Sequence, residues 1–290
     1  MMTTTLILSV LCITTPRTFA FTNSAERILR RHSAAYVTAS STVVHAEFNL
    51  LFDCDGVLAD TERDGHRVAF NKAFVEKGIV EDENYWTVEL YGKLLETGGG
   101  KERMTAHWNT VGWPAGYEDG EAQQELVKSL HLRKTELFNE MITAGQIPLR
   151  PGVLRLVDEA IEAGVPLGVC STSNEKAVTN IVETLMGPER RAKFQIFAGD
   201  VVEKKKPSPD IYLLAKDTMG LDAVRTMVIE DSHIGLRAAK GAGMNCVVTK
   251  SSYTAGEDFQ MADAIVPELG DDSASGVTLE KLMRIPGQSS

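Results

Sequence analysis

The sequence predicts an α/β protein: a doubly wound parallel sheet covered by helices on both faces, with an all-helical insertion near its start. Three observations carry that reading. From residue 150 onward, short apolar runs alternate with stretches of helical periodicity, the pattern of a parallel sheet whose strands are buried on both faces. The first apolar run, Phe48-Asn49-Leu50-Leu51-Phe52, ends abruptly on an acidic cluster, Asp53-Cys54-Asp55. Between residues 61 and 147 the alternation stops, and polar, helix-forming sequence without a convincing strand takes its place.

Residues 1–47 read as an address rather than as part of the fold. Leu6 to Ile13 is apolar but far shorter than the roughly 20 residues that span a bilayer. Thr18-Phe19-Ala20 ends on a small residue, as at a signal-peptidase site. From Phe21 to Ala46, Arg27, Arg30 and Arg31 stand against the single acid Glu26 among many Ser, Thr and Ala, the composition of a transit peptide. A signal-like segment followed by a transit-like one resembles the bipartite presequences of algae whose plastids have extra membranes. The plastid stroma is therefore the expected destination, with plain secretion as the alternative.

A core domain is then expected over 48–60 and 148–290, with a helical cap domain inserted at 61–147. Phe48 to Phe52 is a buried strand. Behind Pro151, residues Val153, Leu156, Val157, Ala160 and Ile161 keep one apolar face of a helix. Val165 to Val169 reads as a strand and Glu175 to Leu185 as a helix. Further strands are expected at Phe194 to Phe197, Met227 to Ile229 and Cys246 to Val248, with helices over 209–219 and 233–241 between them. The last fifteen or so residues are polar and expected to be peripheral.

With 43% hydrophobic and 24% charged residues, the 290-residue chain has an ordinary globular composition, which excludes disorder and collagen-like repeats. A net charge of −10 argues against a sequence-independent nucleic-acid binder, which needs a basic face. An anionic substrate must be held locally, by a cluster of Lys, Arg and backbone N–H groups. Four cysteines, Cys12, Cys54, Cys170 and Cys246, are too few and too irregularly spaced for a disulfide framework or a zinc site.

In an open parallel sheet, ligands bind at the carboxyl ends of the strands, and Asp53-Cys54-Asp55-Gly56-Val57 stands at such an end. Two aspartates one residue apart can divide the work. One attacks as a nucleophile, and the other gives a proton to the leaving group and takes one from water. Alone, Asp-x-Asp also fits calcium sites and ordinary turns. Three later segments add to it. Cys170-Ser171-Thr172-Ser173-Asn174 places hydroxyls at a strand end and a helix start, where they cap the helix, hold a phosphate, or both. Lys204-Lys205-Lys206-Pro207-Ser208-Pro209-Asp210 puts Lys206 before a proline-rich helix start, placed to neutralise a transferring phosphate. Val228-Ile229-Glu230-Asp231-Ser232 ends another strand on two acids. Asp53, the Asp55 carbonyl and Asp231, with Glu230 beside it, make an all-oxygen site of the kind Mg²⁺ prefers.

Asp-x-Asp-Gly-Val, a strand-end Ser, Lys-Pro-x-Pro-Asp and Glu-Asp-Ser, in that order, resemble the haloacid dehalogenase superfamily of phosphohydrolases. The resemblance implies a Rossmann-like core with an inserted helical cap. It also implies a phosphoric monoester hydrolase that works through an aspartyl-phosphate. By position Asp53 is its nucleophile, Asp55 its acid/base, and Ser171 to Asn174 with Lys206 its phosphate binders. Asp53, Asp55, Asp231 and Glu230 form its Mg²⁺ site. The core motifs leave a phosphatase and a β-phosphoglucomutase-like mutase equally open.

The insertion narrows the choice. Asp60-Thr61-Glu62-Arg63-Asp64-Gly65-His66 opens it, and Tyr91 leads to Thr97-Gly98-Gly99-Gly100-Lys101-Glu102-Arg103. Three glycines at a helix start let backbone N–H groups approach an anion, with Lys101 and Arg103 adding charge. His131-Leu132-Arg133-Lys134 offers a second basic patch. These stretches closely resemble the CbbY-like proteins, whose plastid members dephosphorylate xylulose-1,5-bisphosphate, an inhibitory by-product of Rubisco. The resemblance implies that Glu62, His66, Tyr91, Thr97 to Lys101, Arg103, His131, Arg133 and Lys134 contact the sugar and its distal phosphate. The expected partner is thus a small sugar bisphosphate, with no nucleic acid and no membrane for the mature form, and a monomeric protein.

Overall fold

The computed structural model describes residues 48–285, so the presequence expected at 1–47 lies outside the described residues. Six parallel strands form one sheet in the order β3-β2-β1-β4-β5-β6. They are β1 (Asn49–Phe52), β2 (Leu167–Ser171), β3 (Phe194–Ala198), β4 (Thr226–Glu230), β5 (Asn245–Thr249) and β6 (Ala264–Val266). β1 lies at the centre, with Leu51 opposite Gly168 of β2 and Val228 of β4. Successive side chains of a strand point to opposite faces. Accordingly Leu50, Phe52, Val169 and Ile229 pack into one core, and Leu51, Cys170, Val228 and Val248 into another beyond the sheet.

Between β1 and β2 the regular elements are all helices, joined by loops and two isolated bridges at Ala59. A π-helical turn (Thr61–His66) leads into α1 (Arg67–Glu76), followed by α2 (Val88–Leu94), α3 (Gly100–Val111), α4 (Gly120–Thr143) and α5 (Val153–Glu162). Thr87 and Asp119 cap α2 and α4, accepting from the backbone N–H of Leu90 and Ala122. The insertion is polar outside but has an aromatic centre of its own. Phe70 and Phe74 each lie 4.9 Å from the Trp86 ring, and Trp108 is 5.6 Å from Phe74. Such pairs add to the burial of their large apolar surfaces. The return point is fixed by Arg150, whose guanidinium donates to the carbonyls of Gly56, Thr249, Lys250 and Pro267.

The remaining helices are α6 (Glu175–Met186), α7 (Pro188–Arg191), α8 (Asp210–Met219), α9 (His233–Gly241) and α10 (Leu279–Met283). Two expectations need correction. β2 begins two residues later than Val165, behind Pro166, which has no N–H to give a ladder, and it runs on to Ser171. The C-terminal segment is not wholly peripheral: α10 buries Leu279 and Leu282 in the core. The edge strand β6 had no periodic signal, because three residues are too few to show one. Among the described residues no helix is long and apolar enough to cross a membrane.

Candidate active site

The carboxyl ends of β1, β2 and β4 meet, and the side chains that extend from them form one hydrogen-bonded cluster. Lys206 is its centre. Its buried ammonium donates to Asp53 Oδ1 at 2.7 Å, Glu230 Oε1 at 2.7 Å and the Cys170 carbonyl at 2.9 Å, which uses all three of its protons. Burial alone would lower the Lys206 pKa, but Asp53 and Glu230 outweigh it and hold the group charged. Burial pushes the Asp53 carboxyl well above the usual carboxylate range, a rise that Lys206 opposes and Glu230, Asp231 and Asp55 reinforce.

Glu230 is fully buried and fully engaged. Oε1 also accepts from Tyr212 at 2.6 Å, and Oε2 accepts from the Asp231 N–H at 3.1 Å and the Ser232 hydroxyl at 3.4 Å. Asp231 beside it has fewer partners, and burial, followed by the charge of Glu230, pushes its pKa up to about 7. Asp53, Glu230 and Asp231 offer oxygens that all lie within 4.8 Å of one another. A set of hard oxygen donors carrying excess negative charge suits a divalent cation such as Mg²⁺. Two glycines make room for these carboxylates. A Cβ on Gly56, which has φ +78°, would overlap the Asp231 carboxylate, and one on Gly235 would overlap that of Glu230.

Asp55 is held apart from this cluster. Thr61 donates to its Oδ1 at 2.6 Å, and Ser173 and Ser171 donate to its Oδ2 at 2.6 and 3.3 Å. The hydroxyls expected to hold phosphate therefore also orient the second aspartate. Asn174 caps α6, accepting from Lys176 N at 3.0 Å and Ala177 N at 3.4 Å. Thr172 lines the same cavity as Asp53 and Lys206.

That cavity, about 530 Å³, is walled by seven carboxylates, including Asp53, Asp55, Glu62 and Asp231, against the one cation Lys206. A second cavity of about 530 Å³ lies between α4 and α6 and also reaches Asp55. Its wall is of the opposite character: Lys134, Lys176 and His66, with Asn139, Asn174, Asn180 and the hydroxyls of Thr135, Thr143 and Ser173. Asp55 is the residue the two cavities share.

The insertion divides its expected contacts. Glu62 lines the acidic cavity, and burial raises its pKa. Buried Tyr91 donates to Glu62 Oε2 at 2.8 Å, and Arg103 donates to the Tyr91 oxygen at 2.8 Å and to Leu94 O at 3.1 Å, so both act behind Glu62. Lys134 lines the basic cavity, 2.8 Å from His66 Nδ1, with its pKa lowered to about 8 by burial. Burial, and then the charge of Lys134, holds His66 well below its ordinary value. Three groups of expected contacts lie outside these two cavities. Arg133 faces outward, paired with Glu76, Glu136 and Glu140, because its position on α4 lies away from both cavities. Thr97, Gly98, Gly99, Gly100 and Lys101 line neither cavity, and the Glu102 carboxylate lies against Gly99 at the start of α3. His131 is half-buried against Gly100, beside rather than in the basic cavity. Thr61 and Tyr212 were not among the expected site residues. Only Thr61 had a signal, a hydroxyl at the head of the insertion six residues after Asp55.

A family profile described as haloacid dehalogenase-like hydrolase matches residues 49–243, from β1 through α9 and beyond. The chain belongs to the haloacid dehalogenase-like hydrolases. Within them this hydrolase is a phosphatase, and its relatives carry the CbbY name. It is 57% identical over 235 residues to the CBBY-like protein of Arabidopsis thaliana, covering 81% of this chain and 73% of that one. The crystal structure of CbbY from Rhodobacter sphaeroides in complex with phosphate is similar at 39% identity and a TM-score of 0.60, covering 81% and 98% of the two chains. A mutant of that CbbY in complex with xylulose-(1,5)bisphosphate is similar at 38% identity and a TM-score of 0.59, with the same coverage.

Proposed function

We propose that this hydrolase is a Mg²⁺-dependent sugar-bisphosphate phosphatase whose preferred substrate is xylulose-1,5-bisphosphate. The observation that carries the reading is the division of charge about Asp55. An acidic cavity accommodates a metal and the transferring phosphoryl group, and a basic cavity across Asp55 suits a second anion. The xylulose-(1,5)bisphosphate complex of the Rhodobacter relative supports the substrate.

In this reading Asp53 attacks phosphorus and becomes an aspartyl-phosphate, while Asp55, oriented by Thr61 and Ser173, gives a proton to the departing sugar oxygen. Asp55 then takes a proton from the water that hydrolyses the acyl-phosphate. Lys206 is held charged against Asp53 to offset the phosphoryl oxygens. Asp53, the Asp55 carbonyl and Asp231 would hold Mg²⁺, which would neutralise further charge on the phosphoryl group. The two charged lysines of the basic cavity bind the distal phosphate, and a substrate lacking it is held less firmly. Residues 1–47 direct the protein to the plastid stroma.

The test is phosphate release from sugar mono- and bisphosphates, with Mg²⁺ and with EDTA. A Mg²⁺-dependent preference for xylulose-1,5-bisphosphate is the expected result. Slow release from every substrate with conversion of β-glucose 1-phosphate would make the protein a mutase.

A further inference from the structure

The loop behind β5 belongs to the sheet, yet it touches three parts of the machinery. Ser251 lines the acidic cavity together with Asp231 and opposes the rise in its pKa. Ser252 donates to Asp60 Oδ2 at 2.6 Å and accepts from Arg63 at 3.0 Å, where the chain leaves for the helical insertion. Tyr253 lies with its ring 5.8 Å from that of Tyr91 and lines the acidic cavity. A Cβ on Gly92 would meet the Tyr253 ring at 3.1 Å, so the absence of a side chain there makes the seat for this ring.

The Tyr253 hydroxyl has no hydrogen-bond partner although it is buried. It stands among the charges of Arg67, Asp60, Glu62 and Arg63, which influence its acidity after burial itself, but it bonds none of them. A buried polar group without a partner is costly, and native structures keep few of them. Here the orphan sits at the seam between the sheet and the insertion, one ring away from the Tyr91–Glu62 pair that lines the cavity.

We propose that Tyr253 is a specificity-determining residue supplied by the sheet: its ring in the Gly92 seat sets how the insertion closes on the leaving group, and its hydroxyl finds its partner in the closed, substrate-bound arrangement. This rests on the sugar-bisphosphate reading and adds to it a residue outside the insertion. Substrates with a large leaving group draw the insertion down and gain from Tyr253. A minimal substrate such as acetyl phosphate needs only the phosphoryl end of the cavity and gains little.

The test compares kcat/KM for xylulose-1,5-bisphosphate and acetyl phosphate in wild type, Tyr253→Phe and Gly92→Ala, with thermal unfolding of each. Tyr253→Phe removes a hydroxyl that is unpaired in the free protein, so its melting temperature is expected to hold or rise. The ratio of the two kcat/KM values is expected to fall about tenfold. Gly92→Ala, which crowds the ring, is expected to shift the ratio in the same direction. An unchanged ratio in Tyr253→Phe, or an equal fall on both substrates, overturns the proposal. A wild type with no preference for the bisphosphate sinks the underlying substrate reading before any variant is made.

Discussion

Replacing Asp231 by Asn should stabilise the metal-free protein, and only above acidic pH. In the folded chain burial and the Glu230 charge push the Asp231 carboxyl from 3.8 to about 7. Between those values the folded carboxyl holds a proton that the unfolded one has released. Folded protein then binds more protons, and its stability falls as pH rises. A shift of about three units corresponds to about 4 kcal/mol, present as a cost above pH 7 and absent below about pH 4. Asn cannot ionise, so Asp231→Asn escapes that cost, while Asp53, raised in the same direction, remains in both proteins. The assay is urea unfolding in EDTA from pH 4 to 8. The two stability curves should meet near pH 4 and separate by a few kcal/mol at pH 8, with the variant the more stable. Parallel curves would refute the argument that this carboxylate is held at the site against its own solvation. Mg²⁺ should stabilise wild type more than the variant, because the variant has lost a charged ligand.

Other consequences follow from the same geometry. Asp55→Asn should lower kcat by about 10²–10⁴ while leaving the unfolding transition in place, as expected for a proton-transfer group; a change of only a few fold would assign that proton elsewhere. Lys134→Gln should reduce kcat/KM for sugar bisphosphates by about 10–100-fold more than for monophosphates, the worth of one charge-assisted hydrogen bond. Lys101→Ala, outside both cavities, should show little such selectivity. Gly235→Ala drives a Cβ into the Glu230 carboxylate and should cost about 1–3 kcal/mol in denaturant unfolding, with turnover falling as Lys206 loses its anchor.

Much of this molecule is written locally. Strand ends that break from apolar residues to Asp53, Ser171 and Asp231 place the candidate site, because an open parallel sheet binds ligands at that edge. The helical insertion was legible too, from a long stretch of helical sequence with no strand. The sequence could not say which way its charges face. Arg133 and Lys134 are neighbours, yet one turns to Glu76, Glu136 and Glu140 and the other to His66 and the basic cavity. About 100° of helix rotation separates them, and only packing against α1 and α6 decides which side is the inside. The glycine run suffered in the same way: its composition suits an anion, but Glu102 occupies the ground beside Gly99. Glu230 and Asp231 look alike as a pair of acids. Tertiary contacts with Tyr212 and Lys206 engage the first, whereas burial and the charge of Glu230 raise the pKa of the second. Residue type and spacing determined which groups could do the chemistry. Burial and the partners that burial enforces, properties of the folded chain alone, decided which of them face one another and which turn away.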